Sequence, residues 1–488
     1  MPRTEYAAVS QQESLGSAET TSAIELDDIE PNTSHEFPLD LASDDPESVV
    51  DHSQGTSNMQ MAFMNMANSI LGAGIIGQPF AFKNTGLVGG ILSMILLTGL
   101  IDWTLRLIVI NAEKSHTQSY QDTVSKCFGM WGRLLLLLSI SLFAYGGCMA
   151  FCIIIGDTIP HVLRALLPNA ITAPGTALGW LFTRRVIIVV FTTFISYPLS
   201  LNRDISKLAK ASGFALIGMT IIVVLAVIRA PLVENDLRGS LTTPEWTINS
   251  SIFQGVSVIS FALVCHHNTI YIYNSLRNAT IDKFAKITHI ACFVSMLFCG
   301  LMAINGLVNF GDKTKGNLLN NFRSDDFWIN IARFCFGLNM LTTFPLEIYV
   351  VRDVFKDLVV ERNAEGGTGG VEMSWRQHVT VTTLLVFSSM SVSLFTCNLG
   401  IILELIGSTS ASLMAYIIPP LCYVKLCYDE LDKAVTPGRF SKELNRNFIL
   451  YKALPSFAIV LFGFTVMIVS TAGSLTGVGS DDSHCVID

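Results

Sequence analysis

The stretch Asn65-Met66-Ala67-Asn68-Ser69-Ile70-Leu71-Gly72-Ala73-Gly74-Ile75-Ile76-Gly77-Gln78-Pro79 lies inside an apolar run long enough to cross a bilayer, yet its middle is full of helix breakers. In hydrocarbon, every backbone N–H and C=O must find a partner within the protein. A spanning helix therefore breaks only where other protein or a watery cavity surrounds the break. The three glycines, two asparagines and proline of this run point to such a place, and so to a binding site. Half-helix ends at membrane depth present positive N-termini to a carboxylate and unpaired carbonyls to a cation.

Composition agrees with a membrane setting. Half of the 488 residues are hydrophobic and only 14% are charged, against about 25% charged in soluble chains, and the mean hydropathy is +0.50. Apolar runs of roughly 20 residues predict eleven spans, at 60–82, 86–110, 134–158, 186–202, 211–229, 252–274, 287–310, 328–351, 379–397, 399–424 and 449–472. Only the neighbourhood of Asn398 divides the ninth from the tenth, and one kinked or re-entrant unit reads much the same.

The net charge of −8 hides two regions. Residues 1–58 carry −12 and the remainder +4. The first region is rich in Ser, Thr, Glu and Asp, which predicts a disordered acidic tail without a cleavable signal peptide. The membrane domain is expected over 59–473, with a short tail at 474–488. With the N-terminus in the cytosol, the cytosolic loops and their flanks hold 20 Lys or Arg and the opposite side 10, an excess of the sign that fixes orientation. Asn249-Ser250-Ser251 then faces the far side, as a glycosylation acceptor or as an unused sequon. The eleven cysteines show no CxxC pair and no ligand spacing, so neither a disulfide framework nor a zinc site is expected. Tyr6-Ala7-Ala8-Val9 has the form of a short sorting signal, which ties the tail to sorting or regulatory partners.

If the first ten spans form two five-span halves of opposite topology, about 59–230 and 251–425, the sixth span should be interrupted like the first. It holds Cys265-His266-His267-Asn268 in an otherwise apolar run. Polar groups at mid-membrane are costly and tend to face a cavity or a partner; hydrogen bonding between helices is the other reading of the His pair. In the eighth span, Thr342-Thr343-Phe344-Pro345 places hydroxyls beside carbonyls that a proline deprives of their donor, an arrangement suited to sodium or a proton-linked water unless the hydroxyls bond back to their own helix. Asp102 and Arg106 form an i,i+4 pair. Glu347 and Glu404 are candidate proton carriers; the other reading of each is a neutral structural carboxyl or a pair with Arg352. Gly407-Ser408-Thr409-Ser410-Ala411-Ser412 reads as a close-packing face.

Over roughly 58–472 these features resemble the amino acid/auxin permease family. The residues that carry the likeness are the glycine-broken first span, Cys265-His266-His267-Asn268 followed by Ile272-Tyr273-Asn274-Ser275-Leu276, Thr342-Thr343-Phe344-Pro345 with Arg352, and Glu404-Leu405-Ile406-Gly407. The likeness extends to fungal vacuolar amino acid transporters and animal sodium-coupled neutral amino acid transporters. It implies an all-α polytopic membrane protein of LeuT type, with a five-plus-five inverted repeat and an eleventh helix at 449–472. It also implies a substrate region on Asn68, Ser69, Gly72, Ala73, Gly74 and Gly77 together with His266, His267 and Asn268, and an ion site on Asn68 and Thr342 or Thr343.

The expected function is therefore secondary active transport of amino acids, proton-coupled, at a vacuolar or lysosomal membrane. The alternatives are a sodium-coupled neutral amino acid transporter at the plasma membrane and a sensor that binds an amino acid without moving it. No enzyme is expected, because no nucleophile, base and orienting group recur together. The expected partners are an amino acid, the lipid bilayer and the coupling ion, proton or sodium. No other cofactor or metal and no nucleic acid is expected.

Overall fold

A computed structural model describes residues 55–172, 175–203, 212–360, 373–434 and 446–477. The expectations for most of the acidic tail, for the sorting signal and for the last residues of the chain lie outside the described residues. Within them the chain is helical, with a single bridge pairing Ser57 and Leu276. Among the described residues, nine helices are long and apolar enough to cross a membrane: Leu87–Ser115, Tyr120–Leu166, Ala215–Leu232, Ile252–Ser275, Ile281–Lys313, Phe327–Leu358, Trp375–Phe395, Leu399–Asp432 and Arg446–Thr476. The protein is thus a polytopic all-α membrane protein.

The other two expected spans take different forms. The first is built in three pieces: the helix Met59–Ile70, a 3-10 turn Ala73–Gly77 and the helix Gln78–Thr85. The fourth is the helix Arg184–Phe191, continued by a π-turn Thr192–Ser196 and a last turn Tyr197–Ser200. The ninth and tenth are separate helices, because the chain is extended at Thr396 and Asn398 and the Asn398 side chain caps the next helix at the Ile401 amide. The third is longer than expected, and Gly129 (φ 66°, ψ −160°) divides it into a short arm and the spanning helix.

Burial sorts centre from rim. The most apolar window of Ile252–Ser275 is 83% buried, whereas that of Ala215–Leu232 is only 28% buried, so the interrupted sixth span sits at the centre and the fifth faces outward. Leu92, Ile95, Leu96, Leu138, Leu461 and Ile468 are all more than half exposed, as side chains with lipid for solvent are. The Gly407 run packs closely, as expected: a side chain at Gly407 would run into the Ser257 carbonyl. Glu404 is held by Asn84 and Ser474, both at 2.8 Å. Arg106 pairs with Asp102 at 3.0 Å, and His289 joins from the far side of the carboxylate at 2.9 Å.

Three expectations need correction. Arg352 does not pair with Glu347; it donates to the Ser200 carbonyl (2.9 Å) and the Thr382 hydroxyl (3.1 Å) and lies over the Tyr349 ring, because at i+5 it projects from a different helix face. Cys397 is disulfide-bonded, although no disulfide was expected; nine other cysteines are free, and its partner lies outside the described residues. Gly55–Asn58 belong to the packed domain rather than the tail. The Ser57 amide donates to the Ser275 carbonyl and the Arg277 amide to the Ser57 carbonyl, both at 2.9 Å.

One end of the bundle is tied by a buried ionic network. Arg184 pairs with Asp157 at 3.1 Å and donates to the Ser393 and Thr396 carbonyls, while Asn317 and Asn320 donate to the other Asp157 oxygen. Removing one partner of such a pair leaves an uncompensated charge, at a cost of about 3–5 kcal/mol. Arg184→Met should therefore lower the melting temperature of the detergent-purified protein, and adding Asp157→Asn should recover part of the loss.

Candidate functional site

The two interrupted segments meet. Met59–Ile70 ends at Leu71, and Gly72 (φ −90°, ψ −145°) is non-helical before the chain re-enters a turn at Ala73. Ile252–Leu263 ends likewise. Val264 is extended, and His266–Asn268 form a 3-10 turn leading into the helix Thr269–Ser275. This second break needs neither glycine nor proline. Asn268 Nδ2 donates to Ser69 Oγ at 2.9 Å and links the breaks directly. Two helix C-termini and two helix N-termini thus converge, the arrangement that offers backbone donors and acceptors to a small zwitterion.

A cavity of about 490 Å³ lies against both breaks, within the size range of small-molecule sites. Asn68, Ser69, Gly72, Ala73, Gly74, His267 and Asn268 line it. The helix Phe327–Phe355 contributes Thr343, Leu346, Glu347 and Val350, and Tyr120–Leu166 contributes Phe143, Gly147 and Phe151. The lining continues past Gln121, Ser275, Asp353 and Asp357 to Tyr271, which is 61% exposed. The cavity therefore reaches the end of the bundle that carries Gly55–Asn58. Toward the opposite end, the Phe143 ring packs at a tilt against both Phe261 and His267, with centroids 5.3 Å apart, and the Asp157–Arg184 network lies beyond.

Three expected site residues stand apart from this cavity. His266 is fully buried, with its Nε2 at 2.8 Å from Thr104 Oγ1, so it joins helices as the structural reading held. Gly77 faces Leu403, whose Cδ1 lies 2.6 Å from where a Cβ would stand. Thr342 is absent from the lining; its hydroxyl donates to the Asn339 carbonyl at 2.9 Å. Thr343 also donates to the Asn339 carbonyl (2.8 Å), but it lines the cavity together with Asn68 and keeps its lone pairs for a further donor or cation.

Sequence reasoning did not place Glu347 in the site. The signal was available: Thr343, Leu346, Glu347, Val350 and Val354 recur at the three- and four-residue spacing of one helix face. Accepting Thr343 as a site residue therefore brings Glu347 with it.

Comparison with known proteins fits this geometry. Residues 55–476 match the family described as transmembrane amino acid transporter protein. Vacuolar amino acid transporter 2 of Saccharomyces cerevisiae is 49% identical over 435 residues, covering 88% of this chain and 86% of that protein. Putative sodium-coupled neutral amino acid transporter 11 of Mus musculus is 35% identical over 401 residues, 81% and 84% of the two chains. Sodium-coupled neutral amino acid transporter 7 of Xenopus laevis is 28% identical over 385 residues, 77% and 82% of the two chains.

Gly72 and Gly74 differ in what they tolerate. A Cβ at Gly74 would lie 2.5 Å from the Ala262 Cβ and 2.6 Å from its Cα, whereas one at Gly72 meets nothing within 4 Å. Gly74→Ala should thus destabilise the protein by about 1–3 kcal/mol through overpacking, while Gly72→Ala stays near wild type; thermal unfolding in detergent compares the two.

Proposed function

Because the chain belongs to the transmembrane amino acid transporter family, we propose that the cavity between its two broken segments is the substrate site of a secondary active amino acid transporter. The observation that carries this is the Asn268 to Ser69 hydrogen bond, which holds two half-helix junctions side by side on one cavity wall. Backbone amides after Gly72 receive the substrate carboxylate, and carbonyls at the breaks on the cavity wall, at Ile70 and Val264, receive its ammonium group.

The architecture on this reading is LeuT-type: eleven spans, with the three-piece segment 59–85 and the short fourth segment counted among them, and the first and sixth equivalent under an inverted repeat. Interruption of both at the same depth supports it. The N-terminus is cytosolic, supported by the distribution of Lys and Arg and by Cys397, whose disulfide lies at the end of the bundle away from Gly55–Asn58 and suits an oxidising lumen. The cavity then opens toward the cytosol, with the lumenal path closed behind Phe143 and Phe261.

Coupling is to protons, supported by His267 on the cavity wall, an ionisable group at membrane depth of the kind that serves proton relays in transporters. The membrane is vacuolar, in line with the relative named for that compartment. Sodium coupling is the second reading, supported by Asn68 and Thr343 in one cavity and by the relatives named as sodium-coupled. The acidic tail that precedes Gly55 serves sorting or control rather than the pathway.

Purified protein in liposomes tests these points. Labelled amino acid uptake should rise with an imposed pH gradient, collapse with an uncoupler and ignore sodium. Uptake that needs sodium and is indifferent to the pH gradient reverses the choice of ion. Gly72→Leu fills the cavity from a position with open space in front of it, so it should abolish uptake while the protein still folds and inserts. Substrate binding without any uptake by the wild type would identify a sensor.

A further inference from the structure

The electrostatics of the cavity are one-sided. Among the described residues, its lining includes Glu347, Asp353 and Asp357 but no lysine or arginine. Two of these carboxylates lie near the mouth and have cations close by. Asp357 is 3.7 Å from Arg133, and Asp353 shares a neighbouring pocket with Arg203, Arg352 and Lys356. Glu347 differs from both. It lies deeper, one helical turn from Thr343, and its Oε2 is buried with no hydrogen-bond partner among the described residues. Arg352, the cation nearest in sequence, is turned to other partners.

The neighbours of Glu347 leave space for an occupant. Gly147 lies beside it: a Cβ there would touch both the Glu347 Cγ and the Phe151 ring at 3.9 Å, so the glycine leaves a methyl-sized space next to the acidic side chain. Phe143, Phe151 and Leu346 provide apolar walls. An aliphatic stem ending in a cation fits this combination, with the stem against the apolar walls and the charged end at the carboxylate.

We propose that the cavity selects amino acids with cationic side chains, the class of lysine, ornithine and arginine, and that Glu347 binds the side-chain cation. This rests on the transport reading above, which assigns the substrate carboxylate and ammonium group to the helix breaks and so leaves Glu347 to the side chain. A neutral side chain leaves the buried carboxyl without a cationic partner, so the site must hold it desolvated or protonate it. An anionic one meets like charge. The selectivity is thus set by what mismatched substrates leave uncompensated as much as by attraction.

The test is full-length protein in liposomes preloaded with lysine, leucine and glutamate, with uptake of each labelled amino acid measured by exchange. Lysine should exchange, arginine and ornithine should compete with it, and leucine, glutamine and glutamate should compete at least about tenfold more weakly, the order expected for one lost charge-assisted hydrogen bond. Glu347→Gln should lower lysine exchange by about the same factor and raise the relative standing of glutamine. Glu404→Gln, which alters a buried carboxyl outside the cavity, should keep the wild-type order of substrates. Wild-type exchange of leucine equal to or above that of lysine overturns the proposal and leaves amino acid transport intact, as does a Glu347→Gln protein that is monodisperse in detergent and still prefers lysine. Loss of lysine and leucine exchange alike in Glu347→Gln would assign the carboxyl to the substrate's α-amino group and overturn it too. Absence of exchange for every amino acid tried removes the transport reading itself. The wild-type order of substrates decides the matter even if the variant fails to fold.

Discussion

Everything in this protein is arranged around the demand that backbone polar groups be paired inside a membrane. Leu71–Gly72 and Val264–Cys265 leave helical geometry in the middle of the bundle, where unsatisfied amides and carbonyls cost several kcal/mol each by general estimates. The surrounding protein makes this tolerable. The interrupted sixth span is the most buried of the long apolar helices, and Asn268 fastens one break to the other through Ser69. A cavity beside such junctions is the kind of place where helix ends offer backbone groups of both signs to a zwitterion.

The two ends of the bundle are built differently. Away from Gly55–Asn58, the Asp157–Arg184 pair draws on carbonyls and side-chain amides from two further segments, and Lys83 donates to the Asp312 and Thr314 carbonyls. Toward Gly55–Asn58 the contacts among the described residues include the Ser57 to Leu276 bridge, Tyr273 donating to Glu113 at 2.8 Å and Arg352 donating to Ser200 and Thr382. In a transport cycle the end closed by the Asp157–Arg184 pair must open when the other closes, so its polar network has to be exchanged for water or for other partners. Hydrogen bonds and ion pairs suit that task better than interlocked apolar packing, because water can replace their partners one at a time.

The helix Phe327–Phe355 shows how one element serves two roles. One face packs along Tyr120–Leu166 and buries Phe336, Met340, Phe344 and Ile348. The adjacent face presents Thr343 and Glu347 to the cavity. Pro345 lies between them without breaking the helix, and Thr342 and Thr343 both bond to the Asn339 carbonyl one turn earlier.

The sequence by itself determined the membrane class, the family likeness and the two points of interruption, because hydropathy and helix-breaking residues act locally and leave a local record. Gly72, Ala73 and Gly74 were legible as a break for that reason, and Asn68, Ser69, His267 and Asn268 as polar groups at membrane depth. What it could not assign was the direction in which each group points. His266 and His267 are adjacent and chemically identical, yet one bonds Thr104 in the core and the other faces the cavity. Thr342 and Thr343 divide in the same way. Neighbours on a helix or turn project about 100° apart, and only the packing of distant segments decides which direction is protein and which is open space. The same holds for Glu347. Its place in the chain suggested a partner in Arg352, whereas the tertiary structure turns Arg352 toward Ser200 and Thr382 and leaves the carboxyl facing the cavity.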